Sequence, residues 1–90
     1  MKDLLNFWNY IMNTWDQDEI DFAAETINLD TAKFQQANIA KLSYDEIDML
    51  FGELIDLVMD GFGIDNYGDV YEMLLSAGID ENRAQEIIDG

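Results

Sequence analysis

The stretch Ser43 to Asp60, SYDEIDMLFGELIDLVMD, constrains the fold more than any other part of the chain. Ser43 is followed three residues later by Glu46, the Ser-x-x-Glu capping box in which each side chain bonds the other residue's free backbone N–H. Leu42 and Ile47 stand where a hydrophobic staple closes over such a start. Gly61 follows the last turn, where a left-handed residue ends a helix. At about 100° per residue, Ile47, Leu50, Phe51, Leu54, Leu57 and Val58 fall on one side. Asp45, Glu46, Asp48, Glu53, Asp56 and Asp60 fall on the other, with Met49 among them. No Lys or Arg lies within the stretch, so nothing in it neutralises that face. Such a helix must pack its inner side on other elements, and its outer side suits something positive.

The flanking segments repeat the helical period. Residues 3–15 bring Leu4, Trp8, Ile11, Met12 and Trp15 together, opposite Asn6, Asn9 and Asn13. Trp8 and Trp15 read as core, with a docking surface as the alternative. Asp16 caps a helix over 17–28, with Glu19 completing an acidic capping box and Trp15 stapling to Ile20. Its inner stripe is Ile20, Ala23, Ala24 and Ile27. Asp30 caps a weaker helix near 31–40, with Phe34, Ala37 and Ile39 inward. After the central helix, GFGIDNYG (61–68) holds three glycines and reads as a turn. A helix at 67–77 buries Val70, Tyr71, Leu74 and Leu75 and stops at Gly78. Asp80 caps the last helix, 81–89, with Ala84, Ile87 and Ile88 inward and Gly90 at its end. The expectation is a single all-α domain spanning 1–90, a bundle of five or six short helices.

Charge narrows the functional classes. Twenty acids against four bases give −16 in 90 residues, where about 2–8 charges suffice for solubility of a small domain. The field is uneven, because every acid from Asp45 onward faces only Arg83. Direct nucleic-acid binding needs cations for phosphate and is excluded on this balance. Anionic membrane surfaces are disfavoured likewise. An apolar fraction of 49% is too high for an acidic disordered tail. The N-terminal segment lacks the clean apolar run of a signal peptide, and no stretch approaches a membrane span; a cytoplasmic protein is expected.

Catalytic and metal chemistry find little equipment. There is no Cys and no His, which removes thiol chemistry and the usual general base. An EF-hand loop needs oxygen ligands at positions 1, 3 and 5 and a Gly at 6. From Asp60 those positions hold Phe62, Ile64 and Asp65 instead. No enzyme activity, cofactor or metal site is expected. The run Ser43-Tyr44-Asp45-Glu46-Ile47-Asp48-Met49-Leu50, with YGDVYEML further on, resembles acyl carrier proteins, where a Ser opening an acidic helix carries phosphopantetheine. That resemblance implies modification of Ser43. The family's Asp-Ser-Leu is here Leu42-Ser43-Tyr44, and an N-cap accounts for the serine without it.

The acidic face has three readings: a solvated surface, a docking face for a basic segment of an adaptor's partner, or an imitation of nucleic acid. Duplex DNA of the central helix's length, about 25 Å, carries about fifteen charges, so one helix is too sparse alone. Acids from neighbouring segments must join it, and a homodimer would lengthen the track. In size, acidity and helical character the chain resembles the small acidic inhibitors of phages and mobile elements, among them DNA-mimicking anti-restriction and anti-CRISPR proteins. The resemblance implies a basic nucleic-acid-binding partner, such as a nuclease or polymerase in the host cell. The candidate contact residues are Asp45, Glu46, Asp48, Glu53, Asp56, Asp60, Asp65, Asp69 and Glu72, with Tyr44 and Tyr67 as exposed anchors.

Overall fold

Helical periodicity becomes helix over most of the chain, the weaker segment at 31–40 excepted, in a computed structural model that describes residues 2–89 and all their side chains except those of Lys2 and Gln36. The α-helices are α1 (Lys2–Thr14), α2 (Gln17–Thr26), α3 (Gln36–Ile39), α4 (Tyr44–Asp56), α5 (Tyr67–Ser76) and α6 (Glu81–Asp89). A 3-10 turn, Thr31–Phe34, precedes α3, and a π turn, Leu57–Gly61, prolongs α4. No strand occurs among the described residues, and the fold is an all-α bundle of short helices. Gly90, expected to end the last helix, lies outside the described residues.

The caps explain most boundaries. The Ser43 hydroxyl oxygen accepts from the Glu46 N–H at 3.3 Å, and the Ser43 N–H donates to the Glu46 carboxylate at 3.2 Å. Asp30 accepts from the Ala32 N–H at 3.0 Å and Asp80 from the Asn82 N–H at 3.0 Å. Asn66, which the sequence reading overlooked, caps α5: its Oδ1 accepts from the Asp69 N–H at 2.8 Å and its Nδ2 donates to the Asp69 carboxylate at 3.0 Å. Asp16 is a correction. It occupies the N-cap position of α2 but forms no side-chain cap bond, so the expected box with Glu19 is not made. Trp15, expected to staple to Ile20, stacks on Phe62 with ring centroids 4.2 Å apart.

Gly61 is a second correction. It does not adopt positive φ; Gly63, at +75°, does. Gly61 instead lies inside the π turn, where the Phe62 N–H reaches back to the Leu57 carbonyl at 3.1 Å. A Cβ on Gly61 would lie 2.8 Å from the Ala23 Cβ and 3.2 Å from the Ala23 carbonyl oxygen. Glycine is therefore needed for the close approach of α2 to the π turn. Gly61→Ala is expected to destabilise by about 1–3 kcal/mol, because neither obstructing atom can swing away. Gly52→Ala is its control. No atom lies within 4 Å of that Cβ, and an alanine inside α4 should stabilise by about 0.5–1 kcal/mol. Urea titration of both variants tests the pair; equal effects would dismiss the close-approach account.

The core is wholly apolar, with no buried polar or charged side chain among the described residues. Ile47, Leu50, Phe51, Leu54, Leu57 and Val58 are buried as expected, and Ile55 joins them. In α1 the buried stripe is Leu4, Phe7 and Ile11, while Met12 is exposed. The tryptophans flank that stripe, half-buried, with Trp8 stacked on Phe34 at 4.9 Å. An indole is large and carries an N–H donor, so it favours the shoulder of a core over its centre. Ala37 is exposed rather than inward, because the expected third helix breaks into the 3-10 turn and the single turn of α3. Ile27, Tyr71, Leu75, Ile87 and Ile88 are half-buried, and Met73 and Ile79 complete the core.

The Cα radius of gyration is 12.1 Å, matching the ~12 Å of a compact domain of this length. The wholly apolar core is what must offset the self-repulsion of the −16 charge. The principal extents are 31 × 30 × 21 Å, comparable to the Debye length of about 30 Å at 0.01 M salt and well beyond the ~8 Å at 0.15 M. At the lower salt nearly every carboxylate feels every other. Raising salt across that range is expected to lift Tm by several degrees, about the equivalent of 1 kcal/mol. A flat profile in differential scanning calorimetry would show that repulsion is a small part of the stability.

Candidate partner-binding face

The capping box fixes where α4 begins, and the buried stripe fixes its rotation, so the outer residues are determined. Asp45, Glu46, Asp48, Met49, Asp56 and Asp60 are exposed and Glu53 is half-buried. The face is not without cations, which corrects the view from the stretch alone. Lys33, from the 3-10 turn, places Nζ 3.3 Å from Glu53 Oε1. Arg83, from α6, places one guanidinium nitrogen 2.7 Å from Asp48 Oδ1 and the other 3.4 Å from Glu86.

Arg83 ties α6 to α4. Its guanidinium lies 5.5 Å from the ring centroids of both Tyr44 and Phe51, contacts worth about 0.5–1 kcal/mol each at an exposed site. Its pKa is held above the ordinary arginine value, first by the hydrogen bond with Asp48, against the opposing effect of burial. Asp48 and Glu46 are thus already engaged within the fold, Glu46 in the cap. Asp56 and Asp60 make no side-chain hydrogen bond or ion pair among the described residues.

Glu53 differs from the rest. Its Oε1 faces Lys33, while its Oε2 is shielded and has no partner. Two depressions meet at this ion pair. One, of about 340 Å³, is lined by Asp30, Ala32, Lys33, Asn38, Leu42, Glu46, Met49, Leu50 and Glu53. The other, of about 580 Å³, is lined by Thr26, Ile27, Asn28, Leu29, Lys33, Glu53, Asp56 and Asp60. Of the expected set, Glu46 and Glu53 line the first depression, together with Asp30, and Glu53, Asp56 and Asp60 line the second.

No family model, curated protein or solved structure matches the chain. The face is therefore read from its own geometry. Asp45 is exposed on the first turn of α4. Asp65, Asp69 and Glu72 are exposed on the loop and on α5; among the described residues no hydrogen bond or ion pair joins them to the α4 carboxylates, and Asp69 serves the α5 cap. Tyr44 and Tyr67 are exposed as expected, and so are Met49 and, on α2, Phe22. The Ser43 hydroxyl both accepts from the Glu46 N–H and donates to the Glu46 carboxylate, at 3.0 Å. Among the described residues no three acidic side chains are placed to hold one metal ion, and no helix is long and apolar enough to cross a membrane.

The pairing of Lys33 and Arg83 with the α4 carboxylates, and the place of the capping residue Asp30 beside them, escaped the sequence reading for one reason. These residues belong to other segments, Lys33 lying 20 residues from Glu53 and Arg83 lying 35 from Asp48. The available signal was scarcity: with four bases in the chain, each has many carboxylates competing for it.

Proposed function

We propose that the protein is a non-enzymatic inhibitor that occupies the basic groove of a nucleic-acid-handling protein, offering the carboxylates along α4 and the π turn where phosphates would lie. The observation that carries this reading is the position of Asp56 and Asp60. They lie at the C-terminal end of α4 and in the π turn, where the helix dipole is negative and a carboxylate costs about 0.3–1 kcal/mol. Neither side chain has a hydrogen bond or ion pair among the described residues. A surface arranged for solubility alone would carry these charges where the dipole welcomes them. Set here, they oppose the fold and remain free for an external cation. Carboxylates pair bidentately with the arginines that line phosphate-binding grooves, and complementary fields accelerate encounter.

The apolar lining of the smaller depression, beside exposed Met49, favours a second reading: an acidic adaptor that seats a basic segment of a partner without displacing nucleic acid. Affinity capture from a bacterial lysate, with a duplex-DNA challenge of the captured protein, separates them. Retention of a nuclease, polymerase or other DNA-binding protein that duplex DNA then displaces is the expected result. A retained protein that DNA fails to displace would overturn the inhibitor reading in favour of the adaptor.

A further inference from the structure

We infer that α2 and the π turn carry a second docking site, separate from the α4 face, which takes a basic protein segment anchored by an aromatic side chain. The anchor lies on Phe22 and Phe62, and Arg or Lys residues on either side of it reach Asp18 and Glu19. The inference does not need the inhibitor reading. The depression involved, about 390 Å³, is lined by Asp18, Glu19, Phe22, Gly61 and Phe62, none of which lines either depression at Glu53.

The aromatic surface supplies the anchor point. Helix α2 buries Ile20, Ala23 and Ala24, while Phe22 faces outward and is 71% exposed. One exposed phenylalanine by itself is ordinary. This one shares its depression with Phe62, which is half-buried and stacked on the half-buried Trp15, their planes 8° from parallel. Rings already fixed by packing lose little freedom when a further ring settles on them.

Charge names the occupant. Asp18 and Glu19 stand one helical turn before Phe22 on its own side of α2, and Glu25 one turn after it. All three are exposed and make no side-chain hydrogen bond or ion pair among the described residues. No Lys or Arg occurs from Asp3 to Ala32 or from Leu42 to Asn82, so neither α2 nor the π turn brings a cation to this surface. The fold already uses the same combination once: the Arg83 guanidinium lies 5.5 Å from the Tyr44 and Phe51 centroids and bonds Asp48. There Tyr44 and Asp48 are one turn apart on α4, as Asp18 and Phe22 are on α2. A second copy of this chain fits poorly, because a two-fold interface sets the same patch on itself, acid against acid. An anionic membrane is repelled in the same way. A basic segment with an aromatic anchor satisfies both the rings and the carboxylates.

Blocked Arg-Trp-Arg and Arg-Ser-Arg peptides carry equal charge and differ only in the anchor, so their comparison isolates it. Both are titrated at physiological ionic strength, with the Trp15 indole N–H and the Glu19 amide followed by NMR of the labelled protein. Arg-Trp-Arg is expected to bind about tenfold more tightly. Phe22→Ala should remove that preference with helix content and Tm unchanged, because the ring is exposed. Asp18→Asn with Glu19→Gln should weaken Arg-Trp-Arg several-fold, and by more than Asp45→Asn with Glu72→Gln, which removes the same charge elsewhere. Equal affinity for the two peptides, a preference that survives Phe22→Ala, or equal effects of the two acid pairs would overturn the proposal. So would sedimentation showing a dimer of the free protein that Phe22→Ala dissolves, since a second copy would then be the occupant. Capture on the α4 face enters none of these readouts, so this site and the inhibitor reading fail separately.

Discussion

Reversing Glu53, Asp56 and Asp60 to lysine together is expected to abolish capture of the basic partner while leaving the fold intact. Each reversal replaces an attraction by a like-charge contact, and such juxtapositions cost several kcal/mol at an interface. Even a combined loss of about 3 kcal/mol weakens binding by more than a hundredfold. The fold should respond in the opposite direction at two of the three sites. Asp56 and Asp60 occupy the end of α4 and its π turn, and no basic residue lies in the last turn of α4. Lysine there complements the dipole, stabilising by about 0.3–1 kcal/mol per site. The third change forfeits the Lys33–Glu53 pair, an exposed contact at 3.3 Å of the kind worth about 0–1 kcal/mol. Binding lost with Tm unchanged or raised is thus the signature of residues placed for a partner. Reversal of Asp18, Asp21 and Glu25 on α2 alters net charge equally and should retain most of the binding. Equal losses in both triples, measured by surface plasmon resonance, would show that total charge rather than the α4 face governs association.

Local chemistry was legible at most helix starts, although the Asp16–Glu19 box is not made and the Asn66 cap went unread. The Ser43–Glu46 box, the Asp30 and Asp80 caps and the inner stripe of α4 all depend on residues within a few positions of one another, and all are present. Where distant segments decide, the outcome was not legible. Gly61 of the π turn packs so closely on Ala23 of α2 that a Cβ there would lie 2.8 Å from the Ala23 Cβ, a contact that no window along the chain contains. The spacing placed Trp8 in the inner stripe of α1, whereas Phe7 is the aromatic fully buried there, stacked on Phe51, and Trp8 is half-buried. Likewise the acidic face was legible as a set of positions on α4, but not the division of that set. Asp48 is clamped by Arg83, Glu46 is spent on the cap, and Glu53 is paired with Lys33, which leaves Asp45, Asp56 and Asp60 without a side-chain partner among the described residues.

Phe51→Ala is expected to have the largest effect on stability of any single change, because one ring joins three elements. Phe51 is 2% exposed. It faces Phe7 of α1, with ring centroids 6.3 Å apart. The Arg83 guanidinium of α6 also lies 5.5 Å from its centroid. Truncating a buried phenylalanine costs about 3–5 kcal/mol through lost transfer energy and the cavity left behind. A domain of this size has about 5–15 kcal/mol in total, and this one must also offset its own charge. The variant should therefore melt about 15–30 °C lower, with a reduced urea midpoint and an unchanged m-value. Phe51→Leu, which keeps an apolar group beside Phe7 and Arg83, should cost distinctly less. If Phe51→Ala costs under about 1 kcal/mol, α1 and α6 do not rely on the ring for their hold on α4. The expected loss also bears on the outer face. Arg83 positions Asp48 only while Phe51 and Tyr44 support its guanidinium, so in low denaturant the Arg83–Asp48 pair should open before global unfolding in Phe51→Ala and not in the parent protein. Loss of the Arg83 side-chain N–H signals at denaturant concentrations that leave the α4 amides protected would show that the inner ring and the outer charge pair act as one unit.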